Sequence, residues 1–357
     1  TLKFKVYIRK NYSSDNTNNY STYYRYQSKK IFTTPSNTDM KTSTEFSVSS
    51  SASSSAYKKR LGITLDVVEL AKKSLFESAK MEEKRKPESS EVIVKEDVSL
   101  DDFLDYRKSD LRLPVRLYLR DGKIIINEIP TVIRATVIAL FNVLMGSWNC
   151  QDLRYGVDTT MILNQNNVKE PDLWVRPVQR PRPPLAQAMD RFGTPYPTMI
   201  VEVGHTQGLP DMHRKVELYF DVRTTIQIVL TIKIYKPRVD HTAAMIAALY
   251  LRTSPSPLIP VDVRSFGTSG PANVSKYYVY NDMGVPHHIF MGVGLSDINN
   301  NPFPPCAMAG IPAYQMNIPA TELFDGDPTG VPASAIGGFN LDLWEFQVVI
   351  RESFNIP

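Results

Sequence analysis

The sequence predicts an α/β (α+β) fold in which one mixed central β-sheet is flanked by helices. Runs of apolar residues at helical spacing alternate with short, strand-like apolar runs through the middle of the chain. An Asp-Gly pair at 121–122 lies between two apolar runs, which predicts a β-hairpin. Turn residues and short apolar runs then predict a β-rich, Pro-rich extension at the C-terminal end.

Composition excludes several classes of protein. The chain has 357 residues, of which 42% are hydrophobic and 22% are charged, so it is not a wholly disordered, collagen-like or disulfide-dense chain. Two distant cysteines, Cys150 and Cys306, are too few for a cysteine-built zinc site and fit a reducing compartment. The longest apolar stretch, 135–146, is shorter than the roughly 20 residues that a membrane span needs.

Four segments are predicted along the chain. Residues 1–60 contain 11 basic and 3 acidic residues among many Ser, Thr and Asn, which predicts a disordered basic tail. The same composition leaves an organellar transit peptide open beside a nuclear or cytoplasmic location. Residues 61–98 are predicted as a helix capped by Thr64 and a charged linker. Residues 99–253 are predicted to form the core, and residues 254–357 are predicted to be a β- and loop-rich, Pro-rich extension that completes or caps it.

The core is predicted to contain helices, strands and one hairpin in a defined order. These are a helix from Ser99, the hairpin around 121–122, a helix near 130–147, strand-like runs at 157–163 and 172–176, an apolar strand at 198–203, a helix at 211–220, an alternating strand at 225–234 and a helix at 241–251.

Two carboxylates stand in or beside apolar strands. Glu202 interrupts the apolar run Thr-Met-Ile-Val-Glu-Val, and Asp172 follows Pro171 at the start of a second apolar run. Burying a carboxylate is costly unless it is paired or binds a metal. If the two strands pair, both acids meet at one end of the sheet, where they suit Mg²⁺ or Mn²⁺. A solvated turn residue or a salt-bridge partner is the alternative for each acid alone.

Three polar side chains share one face of the next predicted helix. Asp211, Lys215 and Tyr219 lie at positions i, i+4 and i+8. A lysine on this face could lean over the strand end that carries Glu202 and stabilise charge on a phosphate. The alternative is an ordinary Asp–Lys pair on the protein surface.

Taken in order, these motifs resemble the Uma-type restriction endonuclease family of the PD-(D/E)XK nuclease superfamily. The resemblance rests on Pro-Asp at 171–172, Glu-Val at 202–203 and the helix face just described. It extends to Ser-Leu-Asp-Asp-Phe-Leu at 99–104, to Arg-Asp-Gly at 120–122 and to Phe-Asn-Leu-Asp-Leu-Trp-Glu-Phe at 339–346, which looks like the closing strand and turn of the family.

The resemblance implies a restriction-endonuclease-like core and a metal-dependent nuclease. Asp172 and Glu202 would hold Mg²⁺ or Mn²⁺, helped by the carbonyl of Val203, and Lys215 would be the catalytic lysine. The substrate would be nucleic acid, with DNA first, and no membrane partner is implied. A homodimer remains open.

Three positions depart from the pattern of the family. Gly204 stands where strict members of the superfamily carry the lysine, His205 stands where the family has a serine, and Tyr118 replaces a glutamate of the hairpin. These departures favour an alternative, in which a catalytically degenerate nuclease fold binds nucleic acid or a protein.

Several further side chains have two interpretations. His205 is either a metal ligand or proton carrier, or a turn histidine, and Gln207 could face the site. Lys233 is a second candidate lysine, although a solvent-facing strand lysine is the interpretation we prefer. Asp152 and Asp158 are either a third acid or turn residues.

An arginine-rich and proline-rich loop follows the strand of Asp172. Arg176, Arg180 and Arg182, with Arg191 further on, could hold phosphates of a nucleic acid. A solvated loop or a proline-rich ligand for another protein is the alternative. Residues 107–238 contain 19 basic and 12 acidic residues, so any contact with a polyanion is predicted in the middle of the chain.

Overall fold

A computed structural model of the chain describes residues 61–82, 84, 89–108, 113 and 115–355. The predicted disordered tail at 1–60 and part of the predicted linker lie outside the described residues. Within the described part, the structure confirms the mixed α/β class, with sheets flanked by helices and a β-rich C-terminal region.

The described part of the chain contains seven α-helices that we label α1 to α7 and fourteen strands, β1 to β14. The helices are α1 (Leu65–Met81), α2 (Leu100–Lys108), α3 (Val132–Trp148), α4 (Leu209–Tyr219), α5 (Asn273–Tyr277), α6 (Ala320–Leu323) and α7 (Leu343–Ser353). The strands are β1 (Val92–Lys95), β2 (Arg116–Arg120), β3 (Lys123–Glu128), β4 (Leu153–Gly156), β5 (Met161–Asn164), β6 (Asn167–Lys169), β7 (Leu173–Pro177), β8 (Met199–Gly204), β9 (Ile228–Ile234), β10 (Ala244–Leu251), β11 (Asp262–Gly267), β12 (Phe290–Gly292), β13 (Gln315–Ile318) and β14 (Phe339–Asp342).

The strands form three sheets. The largest has seven strands in the order β12-β11-β10-β9-β8-β7-β4, and it is mixed because β8–β9 and β11–β12 are parallel pairs. A five-stranded antiparallel sheet has the order β1-β3-β2-β6-β5, and β13 pairs with β14. The C-terminal region therefore supplies β11 and β12 to the large sheet.

Helices cover both faces of the seven-stranded sheet. On one face, α3 and α7 pack together, and Phe141 of α3 contacts Phe346 of α7. On the other face, α4 packs through Leu209, Val216 and Tyr219. The helices α1 and α2 cover the five-stranded sheet. The large sheet is thus buried on both sides, as mixed sheets with helical layers require.

Local sequence signals fix several element boundaries as predicted. The side chain of Thr64 accepts a hydrogen bond from the backbone N–H of Val67 and caps α1. Asp121 and Gly122 both have positive φ, at 51° and 74°, as the two-residue turn between β2 and β3 needs.

The predicted helix at 241–251 is wrong, because this segment contains strand β10. Successive side chains of β10 enter opposite cores: Met245 and Ala247 lie in one, and Ile246 and Ala248 lie in the other. A strand that is buried on both faces is a continuous apolar run without alternation. Its many alanines then resemble a buried helix.

Three other predictions need correction. The segment 87–98, predicted as a linker, contains β1, which pairs antiparallel with β3. The strand-like run at 157–163 is mostly a turn, and the strands are β4 before it and β5 at its end. The closing segment 339–346 is a strand followed by the start of a helix, since Asp342 caps α7 with its carboxylate.

No helix in the described part of the chain is both long and apolar enough to cross a membrane.

Candidate functional site

Strands β7 and β8 bring the two predicted carboxylates together at one end of the sheet. The strands are antiparallel, and their register pairs Leu173 with Val201. Asp172 and Glu202 are the next residues outward, so they face each other across the pair on one side of the sheet. Each residue is only 2% exposed.

Glu202 is held by two side chains of α4. The ammonium of Lys215 donates to Oε2 of Glu202 at 2.6 Å, and the hydroxyl of Tyr219 donates to Oε1. Lys215 also donates to Oε1 of Gln207 at 2.9 Å. Burial and the charge of Glu202 raise the pKa of Tyr219 well above its ordinary value, so this hydroxyl remains a hydrogen-bond donor.

Asp172 is held by two arginines and one backbone amide. Arg134 of α3 donates from Nε to Oδ2 at 3.0 Å and from Nη2 to Oδ1, and Arg116 of β2 donates to Oδ1 at 2.8 Å. The N–H of Val203 donates to Oδ2 at 2.6 Å. These four hydrogen bonds use all of the lone-pair positions that a carboxylate offers.

The two arginines decide the charge of Asp172. Burial alone would raise the pKa of Asp172, but the charges of Arg134 and Arg116 outweigh it, and the pKa lies below its ordinary value. Asp172 is therefore an ionised carboxylate in a buried ion triad. Neither arginine was recognised in the sequence, although Arg134 stands out as the one charge in an apolar helix.

Glu128, at the end of β3, is a buried acid that sequence reasoning missed. It accepts hydrogen bonds from the N–H and the hydroxyl of Thr206, at 3.2 and 2.7 Å, and from the N–H of Gln207 at 3.0 Å. Burial raises its pKa. Glu128 thereby fixes the loop between β8 and α4, which carries Gln207 against Lys215. Its only sequence signal is its place at the end of an apolar run.

Of the two predicted third acids, Asp152 lies near the other end of β7, and Asp158 is linked to the site through Arg116, which also binds Asp172. Asp152 accepts a hydrogen bond from the side-chain amide of Asn149 at the end of α3, and the exposed Asp158 forms an ion pair with Arg116. In the part of the chain that the structure describes, no three His, Cys, Asp or Glu side chains are arranged to hold a metal ion.

Asp211 lies on the predicted helix face but does not pair with Lys215. It is fully buried in the first turn of α4 and accepts hydrogen bonds from the hydroxyls of Ser89 and Ser90, at 2.6 and 2.8 Å. The N–H of Ser90 adds a third at 2.7 Å. Burial, and then the charge of Glu91, raise its pKa. Asp211 thus anchors the chain before β1.

Lys233 is buried, so the interpretation of a solvent-facing lysine is wrong. It lies on β9 opposite Gly204, which is the position where strict superfamily members carry their lysine. Its ammonium forms an ion pair with Glu82 at 2.6 Å and donates to the carbonyl of Gln207 at 2.6 Å. The predicted polar face of β9 is buried because Val229 shares a core with Val216 and Tyr219 of α4, and Glu82 at the end of α1 covers Lys233.

His205 follows β8 in a turn, and its ring is buried. Both ring nitrogens lack a hydrogen-bond partner within the described residues, and the ring meets Phe354 edge-on. Burial, with the charges of Lys233 and Lys236, lowers its pKa to about 4. The side chain is therefore a neutral packing group at pH 7.

This burial predicts a stability change in mild acid. The unfolded chain protonates His205 near pH 6.5, whereas the folded chain resists protonation until about pH 4. Stability therefore falls as the pH decreases through this window, by up to about 3 kcal/mol. Denaturant unfolding of wild type and of His205→Phe at several pH values measures the difference. The exposed His288→Phe is the control, and parallel pH profiles of wild type and His205→Phe would contradict the prediction.

The arginines of the Pro-rich loop divide into two groups. Arg180 points inward, where it donates to the carbonyl of Tyr196 at 3.1 Å and pairs with Asp325 at 3.3 Å. Arg176 lies directly across the strand pair from the exposed Arg154, and both influence each other electrostatically. Arg182 is exposed. A basic edge is therefore present beside β7, on the strand face that also carries Asp172.

The donor types at the site fit a hard divalent cation only in part. Glu202 accepts one hydrogen bond on each oxygen and keeps lone pairs free, whereas Asp172 has none. A cation could use both carboxylates only if an arginine contact of Asp172 were released.

Comparison with known protein families finds a match to the central part of the chain. Residues 100–257 match the model of the Uma2 family, described as "Putative restriction endonuclease". We call residues 100–257, the segment that this family model matches, the Uma2 domain. The match covers the site from α2 to the end of β10, so Asp172, Glu202 and Lys215 all lie inside the Uma2 domain, while α1, β1 and the last strands of the large sheet lie outside it.

The solved structures that match part of the chain include the following one. It is described as a putative nuclease belonging to DUF820 from Anabaena variabilis ATCC 29413, with 14% sequence identity and a TM-score of 0.33. The alignment covers 47% of this chain and 84% of that one. No curated protein matches significantly.

Proposed function

We propose that this chain is a divalent-cation-dependent nuclease that hydrolyses phosphodiester bonds of nucleic acid, with DNA as the first substrate to test. The observation that carries the proposal is the convergence of Asp172, Glu202 and Lys215 at one sheet end of a Uma2 domain. The basic edge formed by Arg154, Arg176 and Arg182 supplies cations for the phosphates of a polyanion.

In this proposal Glu202 and Asp172 would hold Mg²⁺ or Mn²⁺ after Asp172 releases an arginine contact. When bound, such a cation polarises a phosphoryl oxygen and lowers the pKa of a bound water. The residues of the chain have separate roles. Tyr219 and Lys215 orient the carboxylate of Glu202, and the ammonium of Lys215 stabilises negative charge on the reacting phosphate.

Direct cation binding tests the proposal without a substrate. We expect the full chain to bind Mn²⁺ with micromolar to sub-millimolar affinity in calorimetry, and Glu202→Gln to lose this binding because an amide is a poor ligand for a hard cation. Glu217→Gln, on the exposed side of α4, is the matched control and should bind like wild type. Negligible binding by both wild type and Glu202→Gln would count against the metal-dependent mechanism.

One observation favours the second candidate, a degenerate nuclease fold that binds nucleic acid or a protein. Asp172 is saturated by Arg116, Arg134 and Val203, so the fixed cations of the protein already neutralise the site. This candidate requires no cation binding and no cleavage of plasmid DNA in Mg²⁺ or Mn²⁺. The calorimetric experiment and the cleavage assay therefore separate the two.

A further inference from the structure

Residues 89–95, which we call the strap, lie just before the Uma2 domain and against its site elements. The hydroxyl of Ser89 and the N–H of Ser90 donate hydrogen bonds to the carboxylate of Asp211 at the start of α4. The hydroxyl of Ser90 also accepts a hydrogen bond from the N–H of Gly208 at 3.1 Å. The last four residues of the strap form β1 at the edge of the five-stranded sheet.

The strap inserts one carboxylate, Glu91, among donors from two elements of the domain. Arg120 of β2 contacts it at 2.7 and 3.0 Å, and Arg214 of α4 contacts it at 3.0 Å. The hydroxyl of Tyr118 also donates to it. The side chain of Glu91 is only 6% exposed. Burial alone would raise the pKa of Glu91, but the hydrogen bonds and positive charges around it outweigh burial and lower the pKa.

A third basic side chain faces the same region without a hydrogen-bond acceptor. Lys169 of β6 is 2% exposed, and its ammonium has no hydrogen-bond acceptor among the described residues. It lies over the ring of Tyr118. Burial, and then the charge of Lys215, lower the pKa of Lys169 well below its ordinary value, while the charges of Glu91 and Glu202 act in the opposite direction. Lys169 therefore connects the surroundings of Glu91 to the site.

We propose that Arg120, Lys169 and Arg214, with the hydroxyl of Tyr118, form a subsite for a backbone phosphate of the nucleic acid, and that Glu91 occupies it as an intramolecular competitor. The proposal rests on the proposed function for the class of ligand. It adds a binding site and the segment of the chain that blocks it.

The chemistry of the cluster selects an anion of this type. Without Glu91, Arg120 and Lys169 would lose an acidic neighbour and Arg214 would keep Asp211 at 3.5 Å, which leaves an unfavourable excess of positive charge in a site shielded from water. Arginine guanidinium groups and a phenol hydroxyl are donors that match phosphate oxygens. A phosphate accepts more hydrogen bonds than a carboxylate does, and its extra oxygens would give the ammonium of Lys169 the acceptor that it lacks.

Binding of a labelled oligonucleotide to the full chain tests the subsite. EDTA is present throughout, so the result depends on neither cation binding nor cleavage. We expect Glu91→Gln to bind about tenfold more tightly than wild type, since it removes a charge-assisted competitor. The dependence of its affinity on salt should steepen by about one phosphate contact. Glu96→Gln is the matched control, because Glu96 is exposed, pairs with Lys123 and lies one residue beyond the strap.

A second variant tests whether the gain in oligonucleotide affinity arises at this subsite. Arg214→Ala in the Glu91→Gln background should remove most of the gain, and the 41% exposed side chain of Arg214 makes this change mild for folding. A titration with inorganic phosphate distinguishes the sources of the anion: strong competition at low millimolar phosphate would indicate a site for free phosphate and overturn the nucleic-acid subsite. Equal oligonucleotide affinities of wild type and a folded Glu91→Gln would also overturn it.

Two further results complete the design. If thermal melting shows that Glu91→Gln does not fold, Ser89→Ala replaces it. This variant loosens the strap, because it removes the hydrogen bond to Asp211 and two longer ones, from the N–H of Glu91 and from Arg214. It should raise the affinity about threefold, and an unchanged affinity would overturn the subsite. Cleavage assays are separate: a chain that cleaves DNA but gains nothing from Glu91→Gln retains the proposed function and loses the subsite. A chain that gains affinity without ever cleaving loses the nuclease function and retains the subsite.

Discussion

Replacing Glu202 with glutamine is expected to reduce phosphodiester hydrolysis by about 100- to 1000-fold, the usual effect of losing one charge-stabilising group at an active site. Glutamine keeps the length of the side chain and can still accept from the hydroxyl of Tyr219. It loses the negative charge that pairs with Lys215 and that a divalent cation requires. Initial rates of plasmid cleavage in Mn²⁺ measure the effect.

The control for this experiment separates chemistry from folding. Glu217→Gln makes the same change on the exposed side of α4 and should retain full activity. Circular dichroism and thermal melting of both variants show whether the fold persists. Cleavage by a folded Glu202→Gln at the rate of wild type would place the reaction at other residues.

Replacing Arg134 with leucine is expected to lower the free energy of unfolding by about 3 kcal/mol at pH 7, because it leaves Asp172 buried with part of its counter-charge removed. Arg116 and the N–H of Val203 would remain as partners, which keeps the effect at the lower end of the range for such changes. Urea unfolding of wild type and variant measures it.

Two comparisons give this prediction its specificity. Asp172→Asn in the same chain should recover part of the loss, since it removes the uncompensated charge. Arg154→Leu, at an exposed arginine, should change stability little.

The ion pairs of Asp172 also make stability depend on pH. Because the folded pKa of Asp172 lies below its ordinary value of 3.8, the stabilisation by these ion pairs is present above that pH and is lost as the pH falls through the folded pKa. An Arg134→Leu chain as stable as wild type at pH 7 would contradict the prediction.

Sequence patterns predicted the parts of the molecule that depend on neighbours along the chain. Glu202 in an apolar strand, Asp172 at the start of another and Lys215 on a helix face are local signals, and the pairing of β7 with β8 brings the carboxylates together as expected. The turn at 121–122 and the cap at Thr64 have equally local causes.

The residues that surround these groups could not be found in this way. Arg116, Arg134 and Lys169 come from β2, α3 and β6, and nothing local distinguishes a buried lysine of a short strand from an exposed one. The burial of Lys233 depends on Glu82, which lies about 150 residues earlier in the sequence. The apolar sequence of β10 predicts a helix, whereas the structure has a strand whose second buried face is created by distant segments.

The two larger sheets include strands that lie outside the segment matched by the Uma2 family. A fragment of residues 100–257 would keep β2 to β10 but would lose β1, β11 and β12. The open edges of β3 and β10 would then present unpaired N–H and C=O groups, which attract strands of other molecules. The segments on either side of the Uma2 domain therefore also act as covers that protect it from edge-to-edge polymerisation.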